Sequence, residues 1–143
     1  MPEFRLVLDT TFFILHYFSS DKTVQSRTRE VLRRCRKIGN RGVIPTIVLS
    51  EFYAQAAKRV GGEEAKRRFR EIVESGLDVI ALDTRVCEQA GILRHKHHEK
   101  LPWGDCIIAA TAIVTEVQFI LSEDTHFTLI REIKTKTLND LSL

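Results

Sequence analysis

The chain has 143 residues, 43% of them hydrophobic and 29% charged, with a formal net charge of +3. A chain of this length buries about 70% of its unfolded surface without staples. Residues 1–143 are therefore expected to form one domain, and no Pro/Gly/Ser-rich tract marks a linker or disordered tail. Cys35, Cys87 and Cys106 are too few and too widely spaced for a disulfide framework or a CxxC metal motif. The longest nearly apolar stretch, residues 106–114, falls well short of the ~20 residues that span a bilayer, and no secretory segment is evident, so a soluble cytoplasmic protein is expected.

Residues 4–8 form a short β-rich apolar run that stops at Asp9-Thr10-Thr11, whose side-chain oxygens suit the start of a helix. Residues 22–38 set Val24, Val31, Leu32 and Cys35 among charges, the pattern of an amphipathic helix closed by Gly39-Asn40. A very short strand at 42–45 leads to a helix over 47–60 capped by Thr46, and Gly61-Gly62 separates it from a charged helix over 63–75. Residues 78–82 read as a third strand, Asp83 or Thr84 caps a helix over 85–98, and Pro102 opens another that runs to about residue 116. Residues 118–122 make a fourth strand, one helical turn follows Asp124, and residues 133–137 add a short edge strand.

Strands alternating with helices predict an α/β fold of three layers, α/β/α, around a central parallel sheet of four or five strands. Ligands of such folds gather at the carboxyl ends of the strands. Asp9 ends the first strand and Asp124 follows the fourth, so both are expected at that edge. Basic residues concentrate within 27–41 and 58–70, which suits either solvated helix faces or a phosphate-contacting surface.

Asp9, Asp105 and Asp124 each stand near a helix start, where capping alone accounts for an aspartate. Glu51 lies within the apolar segment 47–53, one turn beyond Ile47, where capping does not explain it. Buried carboxylates converging on one edge repel and raise one another's pKa unless a cation compensates. With cysteine and histidine missing from these positions, oxygen ligands favour Mg²⁺ or Mn²⁺ over zinc. Thr10, Thr11 and Ser122 suit a supporting role, orienting the acids, better than that of nucleophile. Trp103, just before Gly104-Asp105, is read as packing against the helix start in preference to stacking on a base. His95 and His98 share a helix face without a third ligand, so His95, His97 and His98 are read as favourable charge at a helix C-terminus, not as a zinc site.

Four blocks carry a family resemblance: Leu8-Asp9-Thr10-Thr11, Ser50-Glu51, Gly104-Asp105-Cys106-Ile107-Ile108-Ala109-Ala110-Thr111-Ala112, and Ile120-Leu121-Ser122-Glu123-Asp124-Thr125-His126-Phe127. In this order and over nearly the whole chain they resemble PIN-domain ribonucleases, with the length and layout of VapC-type toxins. Thr11 stands where the family often has Ser or Asn, and Ser122 where it often has Thr; each keeps a side-chain oxygen. The resemblance implies metal-dependent hydrolysis of RNA phosphodiesters, leaving 5′-phosphate and 3′-hydroxyl ends. Asp9 and Asp105 would be the main metal ligands, with Asp124 and Glu51 contributing directly or through water. It further implies single-stranded RNA as substrate, a small antitoxin protein covering the acidic site, and a homodimer to which Phe12, Phe13 and Tyr17 would contribute if exposed.

Other readings compete with this one. A PIN-like domain can act as a non-catalytic RNA-binding or scaffold module, or as a housekeeping RNA-processing nuclease. A phosphoacceptor receiver would use Asp83 but needs an acidic pair after the first strand, where this chain has Thr10-Thr11. A dinucleotide enzyme lacks its GxGxxG after that strand.

Overall fold

The computed structural model describes residues 4–143. Its core is a five-stranded, fully parallel sheet of order β3-β2-β1-β4-β5, with β1 Arg5–Leu8, β2 Arg41–Pro45, β3 Asp78–Ile80, β4 Phe119–Leu121 and β5 Lys134–Lys136. Leu6, Val7 and Leu8 are wholly buried, as is Ile120 beside them, so the central strands are covered on both faces. Continuous apolar runs without polar alternation have this outcome in parallel sheets.

Helices α1 Thr10–Phe18 and α2 Lys22–Cys35 join β1 to β2, and α3 Thr46–Val60 and α4 Gly62–Val73 join β2 to β3. Helices α5 Thr84–His97 and α6 Trp103–Val114 then carry the chain back across the sheet to β4, on the other side of β1. Connections run outward on one side and then reverse, so a crevice opens at the carboxyl ends of β1 and β4, the place where open α/β sheets bind ligands. The register confirms the neighbourhood: Leu8 pairs with Leu121, and the Asp9 amide donates to the Leu121 carbonyl at 3.2 Å. The predicted order of elements and the three-layer α/β plan agree with this architecture.

Several local expectations are corrected. Thr46 does not cap α3; it is the first helical residue, preceded by Pro45, whose fixed φ of −62° sets the entry. Helix α2 ends at Cys35, not residue 38, and the chain turns through Gly39 in the left-handed region at φ +90 with Ile38 fully exposed. Gly61, at φ +84, ends α3 and starts α4 together. Phe12 and Phe13 are each 2% exposed and belong to the core, so they offer no dimer surface, and Tyr17 is half-buried beneath the Arg68 guanidinium, 5.1 Å from its ring centroid.

The basic stretches are largely used inside the molecule. Arg27 donates to the carbonyls of Leu138 and Leu141, Arg36 to that of Ser75, and Arg41 pairs with Asp78. Glu30 holds Arg33 and Arg34, and Glu64 holds Arg67 and Arg68. Among the described residues no helix is long and apolar enough to cross a membrane.

Candidate metal centre

Asp9 follows β1 directly and is 3% exposed. It occupies the position before α1, yet its side chain makes no cap hydrogen bond. Its Oδ2 instead accepts from Ser122 Oγ at 2.6 Å and Thr11 Oγ1 at 3.0 Å. The strongest bonds of the Asp9 side chain are thus to hydroxyls and not to the amides of α1. Burial pushes its pKa up, and the Ser122 hydroxyl opposes that shift by stabilising the carboxylate.

Asp105 lies in the first turn of α6 and is 9% exposed. Its Oδ2 is buried without a hydrogen-bond partner. Loss of solvent, followed by the fields of Asp124 and Asp9, raises its pKa to about 7. Gly104 beside it lets the Glu51 carboxylate come close, since a Cβ there would lie 2.8 Å from Glu51 Oε2. Glu51 reaches the cluster from α3, and its Oε1 accepts from Thr10 Oγ1 at 2.7 Å. Burial raises the Glu51 pKa as well.

Asp124 is a true cap: its Oδ1 accepts the His126 amide at 2.9 Å and starts the 3₁₀ turn Thr125–Leu129. That turn folds the His126 ring back over the crevice, with Nδ1 at 3.0 Å from Asp124 Oδ1 and 3.5 Å from Asp105 Oδ2. Ligand atoms of Asp105, Asp124 and His126 all lie within 4.8 Å of one another.

The structure brings the four predicted acids to one sheet edge, where Thr10, Thr11 and Ser122 are each hydrogen-bonded to an acid or its neighbour. Among the described residues, however, only Asp105 and Asp124, with His126, form a close ligand group, and Asp9 and Glu51 stand outside it. The expectation that histidine is missing from the cluster is corrected, because His126 sits against two of its acids. No spacing in the sequence places that ring, whose direction follows from the 3₁₀ turn that the Asp124 cap starts. Trp103 is also corrected. It is 54% exposed and not packed under the helix start, and the Arg94 guanidinium lies 5.4 Å from its ring centroid. His95 and His98 lie with ring centroids 6.0 Å apart at the end of α5, and neither belongs to a three-ligand group among the described residues.

The donor set fits a divalent cation. A buried carboxylate oxygen without a hydrogen bond is costly to leave so, and Asp105 Oδ2 lies in the field of other acids whose repulsion a cation would relieve.

A PIN domain family model matches residues 6–133. No curated protein matches the chain at a significant level. Among solved structures, the chain is similar to VapBC-1 from nontypeable Haemophilus influenzae, at 16% identity and a TM-score of 0.73 over 94% of this chain and 98% of that one. It is similar to VapBC2 from Rickettsia felis, bound to a DNA fragment from its promoter, at 18% identity and a TM-score of 0.72 over 93% and 98%. The Mycobacterium tuberculosis toxin VapC20, described as cleaving the sarcin-ricin loop, aligns at 18% identity with a TM-score of 0.67 over 88% and 95%. On the family match, which takes in all four acids, the chain belongs to the PIN domain family.

Proposed function

We propose that residues 1–143 form a single PIN nuclease domain that hydrolyses RNA phosphodiesters with a divalent metal, as the toxin of a toxin–antitoxin pair. One observation carries this reading: Asp105 Oδ2 is buried without a hydrogen bond among the other acids, with the His126 ring at 3.5 Å beside it, an arrangement that a cation would make favourable. Family membership and folds shared with chains from VapBC complexes support it.

Asp9, Asp105 and Asp124 would hold the metal, with Glu51 reaching it directly or through water. A divalent ion in such a site supplies a more acidic water and offsets charge on the scissile phosphate. The residues of this chain do the rest. Ser122 and Thr11 favour the ionised form of Asp9 against its burial and aim the carboxylate, because their hydroxyls donate to Oδ2. Thr10 fixes the Glu51 rotamer, leaving Oε2 turned toward the start of α6. His126 would add one nitrogen donor to a set otherwise made of carboxylate oxygens, which suit Mg²⁺ or Mn²⁺. The antitoxin is a protein partner of the kind found in the similar VapBC complexes.

The test is cleavage of end-labelled single-stranded RNA in Mn²⁺ or Mg²⁺ by the wild type, Asp9→Asn and Asp105→Asn. Loss of cleavage in both variants and in EDTA is expected. Equal cleavage by all three proteins in EDTA would sink the proposal. Growth arrest on expression, absent for Asp105→Asn, checks the toxin role.

A further inference from the structure

Trp103 is the only tryptophan of the chain and opens α6, two residues before Asp105. It is 54% exposed, although burying its ring would stabilise the fold more than burying almost any other side chain. Arg94, reaching from α5, lies over the ring at 5.4 Å from its centroid, and its Nη1 donates to the Leu101 carbonyl at 2.7 Å. The guanidinium is thus pinned in place, holding the indole while much of the ring stays open to solvent. Gly104, the next residue, abuts Glu51 so closely that a Cβ would lie 2.8 Å from Oε2. An exposed aromatic platform therefore shares the first turn of α6 with Asp105.

We propose that Trp103, backed by Arg94, is a nucleobase subsite: it stacks a base flanking the scissile phosphate of a single-stranded nucleic acid. The inference rests on the nuclease reading above and adds to it the group that positions the strand. Phosphodiester chemistry at the acids fixes only the backbone, whereas stacking fixes the strand's direction and its distance from the cluster. Because every base offers a π-face, the platform tolerates sequence. The Arg94 charge next to the strand offsets a neighbouring phosphate, which the acids alone would repel. A tryptophan at a protein interface is the competing use, and the test separates the two.

The full-length Asp9→Asn protein, in Mn²⁺, is titrated with a fluorescein-labelled single-stranded heptauridylate while indole emission and label anisotropy are followed together. With one tryptophan, the emission reports on this residue alone. Saturable quenching with the same midpoint as the anisotropy is expected. In the same background Trp103→Ala should bind about tenfold more weakly or worse, and Trp103→Phe should retain affinity within about threefold, with melting temperatures of all three alike. Anisotropy that rises without quenching, undiminished binding by Trp103→Ala, or no binding at all would overturn the subsite. Emission that shifts with protein concentration in the absence of RNA would assign the ring to a second copy and overturn it equally. Quenching by an RNA that the wild-type protein leaves uncut would instead count against the nuclease reading while the subsite stands.

Discussion

Ser122 and Asp9, 113 residues apart in sequence, are joined by a 2.6 Å hydrogen bond from the serine hydroxyl to Oδ2. The same Oγ accepts the Asp124 amide at 2.9 Å, so one side chain ties the first acid to the last across the β1–β4 crevice. Replacing Ser122 with Ala removes a donor from a buried carboxylate and leaves an amide unpaired. A stability loss of about 1–2 kcal/mol is expected, together with metal binding weakened by about 10- to 100-fold. Calorimetric titration with Mn²⁺ measures the second effect, and Ser122→Thr, which keeps the hydroxyl, should bind within a few-fold of the wild type.

The acid cluster sets an inverted pH dependence on the metal-free protein. Asp9, Glu51 and Asp105 all have folded pKa values above their ordinary ones, with burial as the first cause, and Asp105 reaches about 7. Between the ordinary carboxylate range and pH 7 the folded state therefore binds more protons than the unfolded state. Stability then falls as pH rises through that window. Thermal melts in EDTA should show a higher Tm at pH 5.5 than at pH 8, for the contribution of these groups. Asp105→Asn should flatten that slope and stabilise the metal-free protein at pH 8 by about 1–3 kcal/mol. Adding Mn²⁺ should stabilise the wild type at pH 8 far more than it stabilises this variant.

What the sequence made legible follows from what it encodes locally. The run before Asp9, the cap at Asp83 and the Gly61 break each act through neighbouring residues, and those elements lie where periodicity puts them. Glu51 was legible as an acid directed to the sheet edge because capping does not explain a carboxylate within an apolar helix. Three features were not legible. His126 depends on a 3₁₀ turn whose direction is set by the Asp124 cap. Trp103 is exposed with Arg94 reaching over its ring from another helix, a contact that no spacing within 103–116 reveals. The fate of the arginines depends on distant carbonyls and acids, such as Leu138 and Asp78, that composition does not pair with them.

Arg27 shows how far a basic residue can be from a substrate role. Its Nη2 donates to the Leu138 carbonyl at 2.7 Å and to that of Leu141 at 2.8 Å, and these bonds staple the C-terminal segment to α2. Arg27→Ala should cost about 1.5–3 kcal/mol, the range for hydrogen bonds made by a charged group, and should speed hydrogen exchange over residues 138–143. RNA affinity and its salt dependence should stay as in the wild type. A smaller salt slope for this variant would show that Arg27 contacts phosphate after all.

Two glycines separate the demands of the fold from those of the site. A Cβ on Gly42, in β2, would meet Cys35 Sγ at 2.8 Å, Cys35 Cβ at 2.9 Å and Leu77 Cδ2 at 3.2 Å. Buried neighbours on both sides leave little room to yield, so Gly42→Ala should destabilise by about 1–3 kcal/mol, lowering Tm without changing cleavage per folded molecule. A Cβ on Gly104 would meet only the far end of the Glu51 carboxylate, which can swing away. Helix α6 gains up to about 1 kcal/mol from Ala over Gly, so Gly104→Ala should melt at or above the wild-type temperature. The displaced Glu51 would lose its bond to Thr10 Oγ1, and cleavage should fall by about tenfold or more, as for other groups that orient a metal's surroundings. Opposite movements of Tm and rate in one variant would separate the requirement for glycine at 104 from any need of the fold, whereas a parallel loss of both would return Gly104 to a packing role.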